Sequence, residues 1–206
     1  MKRVRYFVAI TGASGSILGI RTVQKLLSFH HEVYLAVTKT GISIMADEVP
    51  GMEGVRRETL SSRLSDFLGN PGGALTVVDD DDFSVPFASG SNPPDAMAVV
   101  PCSAGTLGRI ASGVSGNLIE RAADVCLKER KRLILVVRET PLNVIHLRNM
   151  EALAVAGAVI MPASPGYYHR PETVGDLIDF IVERAVLLMG EAGALSRQWG
   201  EKEVLK

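Results

Sequence analysis

Short, near-continuously apolar runs alternate along this chain with longer stretches whose apolar residues recur every three or four positions. That alternation leaves few folds open. Runs at 4–11, 32–38, 74–78, 96–101, 133–138 and 158–162 read as strands. Between the first two, Ile17, Ile20, Val23, Leu26 and Leu27 mark one face of a helix over 16–29. Further helices are predicted at 41–48, 56–67, 106–112, 118–129, 143–156 and 173–188, and 87–94 (FASGSNPP) is loop by composition. Strands apolar on both faces and separated by helices imply a parallel sheet covered on each side. The expected fold class is therefore α/β, a single Rossmann-like or flavodoxin-like three-layer domain over 1–206 with a mainly parallel sheet. It ends in a helix at about 173–190 and a C-terminal tail. Ligands of such sheets bind at the carboxyl ends of the strands, so the turns there carry the functional information.

Composition narrows the partners. Lysine and arginine number 22 against 23 aspartates and glutamates, a net charge of −1, which argues against a general nucleic-acid binder but not against a small anionic ligand. Aromatics make up only 5%, so Ala, Val, Ile and Leu must fill the core. Cys102 and Cys126 form no CxxC pair and no Cys/His cluster, so neither a disulfide framework nor a zinc site is expected, and a reduced cytoplasmic setting is the default. The apolar run at 6–10 is too short for a signal peptide, and no stretch approaches the ~20 apolar residues of a membrane span.

Four strand-end turns stand out. The first strand runs into Thr11-Gly12-Ala13-Ser14-Gly15-Ser16, where glycines admit a ligand to the backbone and the following helix aims N–H groups at an anion. A tight turn without a ligand is the alternative. The fourth strand ends in Cys102-Ser103-Ala104-Gly105-Thr106, again small and hydroxyl-bearing before a helix; two such loops favour a phosphate-bearing cofactor. Cys102, with no paired base, reads as a small buried hydrophobe. Arg138-Glu139 after the fifth strand is either an anion clamp beside an acid/base group or a local ion pair. Tyr167, Tyr168 and His169 follow the last strand and either line a pocket or cover the sheet end. By pattern alone Lys128 belongs to a solvated basic helix end, Asp79 to Asp82 to a solvated loop without metal, and His146 to the structure of its helix; His30 and His31 carry no motif.

Taken in order, GASG (12–15), ASGS (88–91), PCSAGT (101–106), NLIERAADVCLKER (117–130), RETP (138–141), IHLRNM (145–150) and PASPGYYHRP (162–171) make the chain resemble the flavin prenyltransferase family of the UbiX type over nearly its whole length. The resemblance implies transfer of a dimethylallyl group from dimethylallyl phosphate to N5 and C6 of reduced FMN, without a metal. It implies a UbiD-type decarboxylase as recipient of the prenylated flavin, and a homo-oligomer as large as a dodecamer. Carried over by position, Gly12, Ala13, Ser14, Thr38, Ser103, Ala104, Gly105, Thr106 and Arg138 are expected to hold FMN. Lys128, Arg138, Tyr168 and Arg184 are expected to hold the donor phosphate, Phe83 to supply an aromatic face, and Glu139, Ser14 and Glu48 to manage protons. Ala104 stands where the family commonly has Thr, and Phe83 where it often has Trp. The competing readings are an FMN-binding cysteine-decarboxylase-type flavoprotein, whose catalytic His neither His30 nor His31 is placed to supply, and a non-catalytic flavin carrier.

Overall fold

The computed structural model describes residues 4–194; the C-terminal tail expected beyond the last helix lies, from 195 onward, outside the described residues. Strands β1 (Arg5–Ile10), β2 (Glu32–Val37), β3 (Leu75–Val78), β4 (Ala96–Cys102), β5 (Arg132–Val137) and β6 (Val159–Pro162) form a six-stranded sheet in the order β3-β2-β1-β4-β5-β6. Every pairing is parallel. This is the Rossmann order, in which the chain winds outward from β1 in one direction and then restarts at β4 in the other.

The alternation of side chains along each strand builds two cores. Tyr6, Val8 and Ile10 of β1 face one way, with Val8 and Ile10 wholly buried, against helices α1 (Ser16–Ser28), α2 (Lys39–Glu48), α3 (Arg57–Phe67) and α7 (Val174–Met189). Phe7 and Ala9 face the other way, against α4 (Ala104–Ala111), α5 (Leu118–Lys128) and α6 (Val144–Ala156). A period of two thus divides one strand between both outer layers.

Helix α7 runs parallel to α1, held by Arg21–Asp179 and Lys25–Glu183 ion pairs. Its far end is pinned at the amino edge of the sheet: Glu191 accepts from the Tyr6 hydroxyl and lies 3.0 Å from Nε2 of His31. Burial and Glu191 together push the Tyr6 phenol well above its usual range. His31, without a motif in the sequence, is therefore part of the fold's lower seam. The acidic run is likewise not merely solvated, because the Arg57 guanidinium bridges Asp79, Asp80 and Asp81. Among the described residues no helix is long and apolar enough to cross a membrane.

Candidate active site

The switch point of the strand order falls between β1 and β4, and there the two hydroxyl-bearing loops meet. Thr11 stitches them: its amide and hydroxyl both donate to the carbonyl of Pro101, at 3.2 and 2.9 Å, and its hydroxyl oxygen accepts from the Ser103 amide at 2.9 Å. Thr11 is wholly buried, so each of these groups needs the partner it has.

Each loop then turns into a helix by its own means. Gly15, at φ 103°, occupies the left-handed region that admits glycine, and this sets the entry to α1. No side chain of the turn itself caps α1. Glu48, from the end of α2, does so instead: its Oε2 accepts from the amides of Gly15 at 2.7 Å and Ser16 at 3.4 Å. A carboxylate of the protein itself thus stands at this helix start. Thr38 caps α2 by accepting from Gly41 N, and Ser103 caps α4 by accepting from Thr106 N. Arg138, half-buried at the end of β5, donates from Nε to the Ser14 carbonyl at 3.1 Å and so bridges the crevice from the far side.

One chain thus brings together Gly12, Ala13, Ser14, Thr38, Ser103, Ala104, Gly105, Thr106 and Arg138, with Glu48 and Glu139 at the rim. Glu139 is exposed and accepts from the neighbouring Thr140 amide at 3.1 Å; no hydrogen bond links it to Ser14 or Glu48 among the described residues. Phe83, 47% exposed, follows β3 on the turn whose Asp80 carbonyl accepts from Leu118 N.

The remaining members lie elsewhere. Lys128 ends α5 at the amino edge of the sheet, paired with Glu129; its Nζ lies 2.2 Å from where a Cβ on Gly90 would stand. It therefore belongs with the 88–91 segment, whose Ala88 carbonyl accepts from Arg121 Nε at 2.9 Å. Six residues of β5, about 20 Å, separate that edge from Arg138. Tyr168 and Arg184 share a third place, a cleft of about 830 Å³ between the 168–172 segment and α7, in which the His169 ring stacks on Phe180 at 5.2 Å. The single chain does not make Lys128, Arg138 and Arg184 converge.

Thr40 was not singled out by the sequence reading. It is exposed in the first turn of α2, and a Cβ on Gly12 would lie 2.8 Å from its Cγ2. The Thr-Lys-Thr-Gly turn after β2 was its available signal, a third hydroxyl-bearing strand end. Cys102 is wholly buried, and burial pushes its thiol up to about 12, so it packs and does not react. Among the described residues no group of three or more His, Cys, Asp or Glu side chains is arranged to hold a metal ion.

These residues suit a flavin nucleotide. Gly12, Ala13, Ala104 and Gly105 leave the crevice floor free of bulk, hydroxyls and a guanidinium surround it, and the wholly buried Ser16 hydroxyl beside it has no hydrogen-bond partner. The class so defined is a doubly wound nucleotide-cofactor protein with its site at the β1/β4 switch point.

A family model described as Flavoprotein matches residues 1–186. The flavin prenyltransferase UbiX of Pseudomonas aeruginosa is 42% identical over 201 residues, 98% of this chain and 96% of that protein. The crystal structure of a UbiX (PadA1) in complex with FMN and dimethylallyl pyrophosphate superposes with a TM-score of 0.84 at 39% identity, covering 98% of this chain and 100% of that one. A dodecameric FMN-dependent UbiX-like decarboxylase from Escherichia coli O157:H7 gives 0.77 at 36% identity, covering 89% and 93%. The chain belongs to the Flavoprotein family and, within it, to the flavin prenyltransferases of the UbiX type.

Proposed function

We propose that the chain transfers a dimethylallyl group from dimethylallyl phosphate to N5 and C6 of reduced FMN, in the cytoplasm, and that a UbiD-type decarboxylase takes up the product. The observation that carries this reading is the stitched crevice at the switch point, in a chain alike over nearly its full length to a UbiX crystallised with FMN and dimethylallyl pyrophosphate. In this reading the two loops, Thr38 and Arg138 hold the flavin. When bound, reduced FMN supplies the electron-rich ring that accepts the prenyl group.

The protein's own part is electrostatic. The donor's allylic C–O bond breaks with its electrons left on phosphate, so negative charge grows there as the reaction advances. Arg138, Lys128 and Arg184, with the Tyr168 hydroxyl, are suited to meet that charge without a metal. The allylic fragment carries the matching positive charge, which the Phe83 ring can face. Closure at C6 would take up a proton at the alkene carbon beside the new bond and give one up from C6, so a single carboxyl at the rim, Glu139, would serve as both donor and acceptor, with Ser14 and Glu48 the other candidates for moving protons.

Because Lys128 lies a strand's length from Arg138, it serves the phosphate of a neighbouring copy. The exposed apolar residues of and beside α6, including Val144, Ile145, Leu147 and Val155 at 52% to 85% exposure, support such an assembly, a homo-oligomer of the dodecameric kind. The test is anaerobic incubation with reduced FMN and dimethylallyl phosphate, with and without chelator, followed by mass spectrometry of the flavin. A prenyl adduct formed equally in both is expected; retained but unmodified FMN would overturn the reading in favour of a carrier.

A further inference from the structure

Glu120 is the one acidic or basic side chain fully buried among the described residues, 1% exposed in the first turn of α5. Capping does not account for it, because Asn117 already caps α5 by accepting from the Glu120 amide at 2.9 Å. The carboxylate instead turns back out of its helix. Its Oε2 accepts from Gly116 N at 2.9 Å, and its Oε1 accepts from Asn117 Nδ2 at 3.3 Å and from Nε of Arg109. A buried carboxylate held by three hydrogen bonds is a rigid reference point.

Arg109 carries that reference across to α4. Its Nη2 donates to Oγ1 of Thr106 at 3.2 Å. The same oxygen accepts from the Ser103 hydroxyl at 3.1 Å, and Ser103 Oγ accepts from the Thr106 amide at 3.3 Å. The Ser103 amide in turn donates to Thr11, whose hydroxyl hydrogen is committed to Pro101. Counting donors and acceptors along this line, the Ser103–Thr106 pair accepts more than it donates and keeps one hydroxyl hydrogen unspent. Both residues belong to the loop assigned to FMN.

We propose that Glu120, acting through Arg109, is a positioning residue for the flavin: the ion pair of the buried Glu120 with the half-exposed Arg109 fixes the Ser103–Thr106 hydroxyls so that the spare hydrogen is presented to an acceptor atom of FMN. Arg109 is the transmitter, since its planar guanidinium holds two N–H bonds in one fixed geometry, from Nε to Glu120 and from Nη2 to Thr106. The inference rests on the flavin reading above and goes beyond it by naming how the loop is set.

The test is a double-mutant cycle read by titrating FMN into the purified full-length chain and following flavin fluorescence and the visible absorption band. Glu120→Gln and Thr106→Val are each expected to weaken FMN binding about fivefold to tenfold and to shift the bound flavin's band alike, with the double variant no worse than the weaker single. Losses that multiply in the double variant overturn the proposal, as does a Glu120→Gln chain that melts earlier yet binds FMN with wild-type affinity and spectrum. Arg109→Met, cut at a half-exposed side chain, is run in the same cycle so that a folding failure of Glu120→Gln does not stop the test. A wild-type chain that takes up no FMN would bring down the flavin reading itself; wild-type binding with independent losses brings down only the positioning role.

Discussion

The Glu48 carboxylate lies 2.7 Å from the amide nitrogen of Gly15, so the end of α2 supplies the negative charge at the start of α1. One side chain thereby holds two successive strand-end turns together. Glu48→Ala is expected to cost about 1 kcal/mol of stability, the worth of a helix cap and its charge. Glu48→Gln keeps an acceptor for Gly15 and should recover most of that stability. If turnover nonetheless falls in Glu48→Gln, the charge serves the reaction as well as the cap; equal turnover in wild type and Glu48→Gln would confine Glu48 to structure. Thermal melts beside prenyltransfer rates separate the two.

Arg138 spans the crevice through the Ser14 carbonyl, from a half-buried position outside both cores. Arg138→Ala should therefore leave stability within about 0.5 kcal/mol of wild type while weakening FMN binding about tenfold or more. Arg138→Lys keeps the charge but not the directed Nε bond, and an intermediate affinity is expected. Calorimetric titration with FMN checks the order of the three proteins.

Lys128 and Arg138 occupy opposite ends of β5, which makes their cooperation a matter of two copies. Lys128→Ala and Arg138→Ala homo-oligomers should each be nearly inactive. Unfolded together and refolded as a mixture, they should regain activity, because some sites then unite an intact Lys128 with an intact Arg138. Activity of the mixture no higher than that of the separate variants would show that the two residues do not meet across an interface.

Both cysteines are buried, and in each burial holds the thiol at about 12 instead of near 9. The unfolded chain thus loses its thiol protons at a lower pH than the fold does. The thiols' contribution to stability is fully present below about pH 9 and is lost as pH rises toward 12, by up to about 1.4 kcal/mol per pH unit for each thiol. Tyr6 acts in the same direction. Urea melts across this range should show the decline, and a Cys102→Ala/Cys126→Ala chain should show a shallower one.

The elements were legible in the sequence to within about two residues, because strand and helix periods differ and every strand here is bounded by a polar turn. The crevice was legible for the same reason: Gly12, Ser14, Ser103 and Arg138 immediately follow strands, and in a parallel sheet all such positions share an edge. Lys128 and Arg184 were not, since both sit on helices, where sequence position does not say which edge or which copy they face. Glu120 and Arg109 were not either, because an ion pair between two helices leaves no periodic mark in the sequence. His31 likewise gains its role only from Tyr6 and Glu191, each remote from it in the chain.

The contact of Gly12 with Thr40 has a consequence for how such chains can drift. A methyl group at position 12 would have to share space with the Thr40 side chain, whose helix is anchored two residues away by the Thr38 cap. The first glycine of the loop and the residue two beyond that cap are thus sterically coupled. Among kindred chains, anything larger than glycine at position 12 should appear only beside a glycine at position 40 or a displaced α2, because the Thr40 Cβ as well as its Cγ2 lies within 3 Å of where that methyl group would stand.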